Sequence, residues 1–287
     1  MAGTLYLVAT PIGNLEDITQ RALRVLREVD LIACEDTRRT RLLLNHYGIQ
    51  TKTMSYHEHN ERERADRLCQ LLEAGQDVAI VSDAGTPLIS DPGFRIVKAA
   101  IDRRIAVVPI PGPAAFVSAL VASGLAGHQF FFAGFLPARR KARRERLEEL
   151  RAIPAALIFY EAPHRLAATL QDAREVLGDR PAVVARELTK IHEEIARGNL
   201  SELLQGFSVE RTARGEIVLI VSGNEAATMT LAETETNRGD AFLARVSELE
   251  TAGVDSKEAL KKAAREFGLK RGEAYRLVVA QKNRRKK

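Results

Sequence analysis

The chain is predicted to be an α/β protein, with two α/β domains followed by a small helical extension. Three observations predict this. Short β-branched runs alternate with helical periodicity through roughly the first 220 residues. Each run ends in a loop of Gly, Pro and small polar residues, the strand–loop–helix order of a mostly parallel sheet. The length of 287 residues, at about 150 residues per domain, allows two domains.

Leu5–Ala9 reads as the first strand. Asp17 then opens a helix, with Gln20 at capping-box spacing and Ile18, Ala22, Val25, Leu26 and Val29 forming one apolar stripe. Further strands are expected at Leu31–Cys34, Val78–Ser82 and Ala106–Ile110, with helices between them. Pro113–Ser123 reads as a helix with Pro113 suited to its first position. The first domain is placed at 1–120. The second, 121–223, carries strands at Phe130–Phe135, Ala156–Tyr160, Ala182–Glu187, Ile191–Arg197 and Ile217–Ser222, the late adjacent ones suggesting antiparallel pairing. Residues 224–239 lose periodicity and read as a linker. In the basic helical extension, 240–287, Asp255 and Glu258 have capping-box spacing, and Leu260, Ala263, Ala264 and Phe267 make one face. Gly268 punctuates, and a second helix is expected from about Arg271 to Gln281. A helix-turn-helix-like module and a helical hairpin docked on the body both fit this pattern.

Composition narrows the function classes. Apolar residues make up 45% of the chain and charged residues 28%, the profile of an ordinary globular protein. Two cysteines, Cys34 and Cys69, are too few for a disulfide framework and fit a reducing cytoplasm. Pro11, Gly13, Asn14, Glu16 and Asp17 interrupt any signal-peptide core. The most apolar stretch, Ile105–Gly127, holds Pro109, Pro111, Gly112 and Pro113, so no membrane span is expected. The net charge is +5, but residues 256–287 carry twelve Lys/Arg against three acids, leaving a slightly acidic body. A second basic cluster, Arg139, Arg140, Lys141, Arg143, Arg144 and Arg146, lies within that body. Two such clusters point to a polyanion such as nucleic acid.

The phosphate loop of P-loop NTPases, the Rossmann glycine fingerprint and the nucleophile-elbow serine are absent from the sequence. His57 and His59 share a side only on a strand and lack a third ligand, so no metal is expected. Three loops at strand ends remain: Thr10–Leu15, Ser82–Gly93 and Pro111–Ala115. At one edge of a parallel sheet they would form a continuous rim, with glycines permitting close backbone approach and Ala114 and Ala115 offering no bulk. This pattern indicates a small-molecule site.

The motifs T-P-I-G-N-L-x-D-I at 10–18, E-D-T-R at 35–38, S-D-A-G-T-P-L-I-S-D-P-G at 82–93, P-G-P at 111–113, G-F-L-P at 134–137, F-Y-E-A-P-H-R at 159–165 and R-E-L-T-K at 186–190 occur together in this order. As a set they resemble the ribosomal RNA small-subunit methyltransferase I family, itself similar to the tetrapyrrole methylases, the class III S-adenosylmethionine-dependent methyltransferases. The resemblance covers about residues 4–222. It implies 2′-O-methylation of a cytidine in 16S ribosomal RNA near the decoding centre, S-adenosylmethionine as donor, and a cytoplasmic homodimer with the donor in the cleft between two domains. By the same resemblance the donor's neighbours are Pro11, Asp83, Gly85, Thr86, Pro87, Ala114, Ala115, Tyr160, Gly215 and Glu216. The loop reading agrees only for the first-domain positions.

A ribose hydroxyl is a poor nucleophile until its proton has somewhere to go, so a positioned base is expected. Glu187, Lys190, Asp36, Glu161 and His164 are the candidates. Glu187 could instead pair with a neighbouring arginine, and Asp36 could cap the helix starting at Thr37. Arg38, Arg39 and Arg165 suit phosphate contacts because their guanidinium forks match phosphate geometry, and Arg139, Arg140, Lys141 and Arg143 add a basic RNA-facing cluster. Porphyrin-modifying relatives carry a G-x-G-P-G-D type loop where this chain has Ala9-Thr10-Pro11-Ile12-Gly13-Asn14. That difference weighs against the alternative of a tetrapyrrole C-methyltransferase. A non-catalytic nucleic-acid-binding factor is the alternative from another class.

Overall fold

A computed structural model describes residues 2–91, 93–125, 129–207, 215–224, 241–269, 272 and 274–276. Residues 1–223 form one compact unit and 224–287 another.

The first unit holds two five-stranded sheets. The strands of the first are β1 (Thr4–Val8), β2 (Leu31–Cys34), β3 (Thr53–Ser55), β4 (Val78–Val81) and β5 (Ala106–Ile110). They lie in the order β3-β2-β4-β1-β5, every pair parallel. Helices α1 (Gln20–Glu28) and α2 (Thr37–His46) cover one face, burying Leu26 and Leu44 against Val8, Ile32 and Val81. Helices α3 (Glu61–Glu73) and α4 (Phe94–Asp102) cover the other, burying Leu68, Leu72 and Ile96 against Leu5 and Ile80. The chain therefore leaves neighbouring β1 and β4 toward opposite faces. That divergence opens the crevice in which parallel α/β sheets bind ligands.

The second sheet contains β6 (Phe130–Phe135), β7 (Ala156–Glu161), β8 (Pro181–Arg186), β9 (Glu194–Asn199) and β10 (Ile217–Val221), in the order β6-β7-β10-β8-β9. Only β6 and β7 are parallel; the expected antiparallel pairing of β8 and β9 is present. Helices α6 (Arg140–Leu150), α7 (Leu166–Leu177) and α8 (Leu200–Gly206) pack on one face. Helix α5 (Ala115–Ser123) packs on the other, with Ala119 and Leu120 against Ile158, Val183 and Ile220. Leu120, where the sequence reading placed a boundary, thus lies inside α5. Along β10, Ile217, Leu219 and Val221 face one core while Val218 and Ile220 face the other, the two-residue period of a strand buried on both sides.

Several local expectations are corrected. Asp17 does not open α1: it ends a 3-10 turn, Leu15–Asp17, capped by Asn14, and α1 starts at Gln20 under Thr19, whose side chain accepts from Ala22 N at 3.1 Å. Helix α5 begins at Ala115 with Ala114 as its cap, so Pro113 precedes the cap. The three-residue β3 escapes the sequence reading because it is too short to show a period.

The C-terminal unit has its own small core. Residues 241–251 form α9 and Ser256–Glu266 form α10, burying Phe242, Val246, Ala259 and Ala263 together. Asp255 caps α10 by accepting from Lys257 N at 3.0 Å. Most of the predicted linker and of the Arg271–Gln281 helix lies outside the described residues.

Candidate active site

The three loops are tied to one another at the C-terminal edge of the first sheet. Thr10 N donates to Gly85 O at 2.9 Å and Gly85 N to Thr10 O at 3.0 Å. The Ser82 hydroxyl donates to the Gly85 carbonyl at 3.1 Å, and Thr86 Oγ1 donates to Pro113 O at 3.1 Å. Gly112 packs so tightly on the first loop that a Cβ there would meet the Ala9 side chain at 2.8 Å. Rigid backbone therefore forms the rim.

The second sheet supplies the opposite wall. Ile12 inserts beside Leu188 and Val218 in the core under α5. Asn14 N donates to Thr189 Oγ1 at 3.0 Å, and a Cβ on Gly13 would lie 2.5 Å from Lys190 Cγ. Lys190 Nζ meets Glu187 Oε1 at 2.8 Å and Glu216 Oε2 at 3.4 Å, while Glu187 Oε1 also accepts from Glu216 N at 3.2 Å. Gly215, with φ of 86°, leaves no room for a Cβ against Glu187. Residues 187–190 thus fasten the last strand to the first loop.

Between these walls lies a cavity of about 400 Å³. Of the sequence-predicted donor neighbours, Asp83, Gly85, Thr86, Ala114, Ala115, Tyr160, Gly215 and Glu216 line it. Pro11 lines a smaller adjoining pocket that shares Arg39 and Asp83, and Pro87 lines neither. Helix α5 starts at the wall with no side-chain cap, because alanine occupies that position. Asp83 accepts from Asp36 N at 3.1 Å and pairs with Arg39 at 3.3 Å. Among the described residues four carboxylates, Asp83, Asp91, Glu161 and Glu216, face the cavity beside one cation, Arg39. Such a lining attracts a small cation with apolar parts. Burial pushes the Tyr160 hydroxyl above its usual range, and its ring packs on Phe132 and Phe135 at 5.0 and 5.6 Å.

Of the candidate bases only Glu161 reaches the cavity. Its oxygens are taken: it is buried, accepts from Ala162 N at 2.8 Å and Thr169 Oγ1 at 2.5 Å, and pairs with Arg165 at 3.2 Å. Asp36 caps α2, accepting from Arg38 N at 2.8 Å, and these bonds to Arg38 hold its carboxyl down at about 2. His164 is exposed and off the cavity wall. Glu187 and Lys190 are partners of each other; the hydrogen bond from Lys190 lowers the Glu187 pKa, whereas burial of Lys190 is outweighed by Glu187 and Glu216, so its own rises.

Much of the basic cluster at α6 is engaged in ion pairs with α7. Arg143 is 5% exposed and pairs with the buried Asp172 at 2.6 Å. Arg140 joins the same carboxylate at 3.0 Å, and Arg144 bridges Asp172 and Glu175. Single charges on one helix look alike in a sequence whether solvated or paired with another helix. Arg139 and Lys141 stay exposed, Lys141 reaching only Glu145 at 4.0 Å. Arg165 also turns inward, donating to the Leu136 and Pro137 carbonyls at 2.5 and 3.2 Å. Arg38 is 90% exposed and pairs with Asp36, while Arg39, 66% exposed and paired with Asp83, lies on the cavity lining.

Asp91 was not singled out by sequence reasoning. It sits in the S-D-P-G end of the second loop, where Asp before Pro-Gly reads as ordinary turn chemistry.

The family described as Tetrapyrrole (Corrin/Porphyrin) Methylases matches residues 4–204. The chain is 50% identical over 277 residues to the ribosomal RNA small subunit methyltransferase I of Halalkalibacterium halodurans, covering 96% of this chain and 94% of the relative. It is 47% identical over 281 residues to the protein of the same name from Escherichia coli O157:H7, covering 97% and 96%. Among solved structures, the methyltransferase CobJ superposes with a TM-score of 0.59 at 19% identity, covering 77% of this chain and 95% of CobJ. Uroporphyrin-III C-methyl transferase from Thermus thermophilus, complexed with S-adenyl homocysteine, superposes with a TM-score of 0.54 at 19% identity, covering 77% and 97%.

Proposed function

The chain belongs to the tetrapyrrole methylase family, among its ribosomal RNA small subunit methyltransferase I members, and from that premise we propose that it transfers a methyl group from S-adenosylmethionine to 16S ribosomal RNA. The acceptor in this reading is the ribose 2′-oxygen of a cytidine near the decoding centre, on naked RNA or the small ribosomal subunit. The observation that carries it is the cavity: three interlocked loops, the carboxylates of Asp83 and Glu216 and the apolar side chains of Ile12, Leu188 and Val218 suit a sulfonium cation bearing an adenosyl group. Asp83, Glu216 and the uncapped start of α5 would hold the donor, which when bound supplies an electrophilic methyl carbon.

The chain's own contribution is placement. Walls of Ile12, Leu188 and Val218 exclude water, and the wired loops keep donor and acceptor aligned, which is where most of the rate in such a displacement arises. Arg38 and Arg39 are suited to RNA phosphates. A homodimer in the cytoplasm completes the reading. The edge strand β6 supports a second copy as partner: Phe130 is 50% and Phe135 57% exposed there. No helix among the described residues is long and apolar enough to cross a membrane.

The test is incubation of the protein with tritiated S-adenosylmethionine and small subunits from cells lacking it. Label resistant to alkali at one cytidine is expected. Label on a base, or none on RNA, would refute the reading.

A further inference from the structure

Three of the four cavity carboxylates are neutralised by a cation. Asp83 pairs with Arg39 at 3.3 Å, Glu161 with Arg165 at 3.2 Å and Glu216 with Lys190 at 3.4 Å. Asp91 has no ion-pair partner among the described residues, although it is half-buried in the wall. It is also spared the structural task its position suggests. Three residues beyond it α4 begins, but the start of that helix is held by Glu61 of α3, whose Oε1 accepts from Gly93 N at 3.0 Å and Arg95 N at 3.3 Å.

The backbone around Asp91 is bent at a cost. Leu88 and Ser90 take left-handed conformations, φ 71° and 66°, and Gly93 turns at φ 137°. Side chains other than glycine's are strained in this region, and such strain persists where a site needs a side chain aimed. The bend lays Ser90 against Gly134 of β6 and brings Asp91 to the wall it shares with Tyr160.

We propose that Asp91 is the base that accepts the proton of the RNA ribose hydroxyl, an assignment that rests on the methyltransferase reading above. In the step, the 2′-oxygen forms its bond to the methyl carbon as the donor's sulfur–methyl bond breaks, the bonding pair remaining on sulfur. The hydroxyl proton passes to Asp91 Oδ and then to water. Glu35 at the end of β2, Asp83 after β4 and Tyr160 on β7 face Asp91, with the Ser82 hydroxyl beside it and Arg39 offsetting Asp83. Burial, then the charges of Glu35 and Asp83 against the Ser82 hydrogen bond, push its pKa up to about 6. The group is then mostly ionised at neutral pH and a stronger base than an ordinary carboxylate.

Full-length Asp91→Asn and Asp91→Glu proteins are compared with wild type in single turnover on unmethylated small subunits at saturating donor, with donor affinity measured by calorimetry. Asp91→Asn should lower the rate by about 100-fold or more while donor affinity stays within about twofold, which also reports an intact fold. The wild-type rate should climb with pH to a bend near 6, and the asparagine variant should lose that bend. Asp91→Glu should recover part of the rate and retain a bend. An Asp91→Asn rate within about threefold of wild type, or a loss traced to donor affinity, would overturn the assignment. Wild-type protein that labels no RNA would instead overturn the reading on which it rests, and is seen before any variant is compared.

Discussion

Arg143 and Asp172 form a buried ion pair between α6 and α7, with Arg143 Nη2 at 2.6 Å from Asp172 Oδ2 and side chains 6% and 1% exposed. Removing one partner leaves a charge stranded in the core. Asp172→Ala should cost about 3–5 kcal/mol, read as a lower urea midpoint at unchanged slope. Replacing Arg139 and Lys141 together by alanine should leave stability unchanged and weaken RNA binding. Unchanged RNA affinity would remove the exposed end of the α6 cluster from the RNA surface.

The same carboxylate predicts a pH dependence. Burial raises the Asp172 pKa, but hydrogen bonds from Arg140 and Arg143 outweigh it, and the net shift is downward. A carboxylate with a lowered folded pKa contributes stability above its unfolded pKa and loses it as pH falls through the folded value. Wild type should therefore lose more stability below about pH 4 than an Asp172→Asn variant does.

Gly85 joins the first two loops with φ of 80°, and a Cβ there would lie 3.3 Å from Ile12 Cγ2. Gly85→Val should weaken donor binding at least about tenfold, since the left-handed backbone alone costs a branched residue roughly 1–2 kcal/mol. Calorimetry with S-adenosylmethionine checks this; unchanged affinity would move the donor out of the cavity.

Gly13→Ala tests the fastening between the walls. Its new methyl would collide with Lys190 Cγ at 2.5 Å and Thr189 Oγ1 at 2.7 Å. A loss of about 1–3 kcal/mol is expected, with weaker donor binding although Gly13 is not on the cavity lining. Loss of stability with unaltered donor affinity would show that the fastening does not shape the site.

Truncation after Gly223 tests the basic end. Residues 1–223 are compact by themselves, so donor binding and melting temperature should survive. RNA affinity should fall, and its log–log salt slope should shrink by about 0.7–0.9 for each phosphate that the extension no longer neutralises. An unchanged slope with a reduced melting temperature would assign the extension to stability.

Elements set by local pattern were legible in the sequence: Leu31–Cys34, Ala106–Ile110 and Phe130–Phe135 are strands at the bounds read from it. So was the meeting of three loops, because parallel strands place their exits on one edge. What escaped depends on distant partners. Nothing near Arg143 announces Asp172, 29 residues away, or near Asn14 announces Thr189, 175 residues away. Asp91 stayed hidden because its distinction is the lack, among the described residues, of a cation that its neighbours have, a property that exists only once the cavity is built.

The position of β10 has a consequence for the order in which the chain matures. It is the last strand made, yet it lies at the centre of its sheet, with β7 on one side and β8 on the other. While the polypeptide emerges during translation, β7 and β8 have no common neighbour to pair with until residue 221 is made. Ile12, synthesised long before, waits for the same strand to acquire Val218. The first sheet can settle early, since its five strands end at Ile110. The cavity cannot. A nascent or prematurely ended chain therefore lacks the wall that β10 supplies to the cavity.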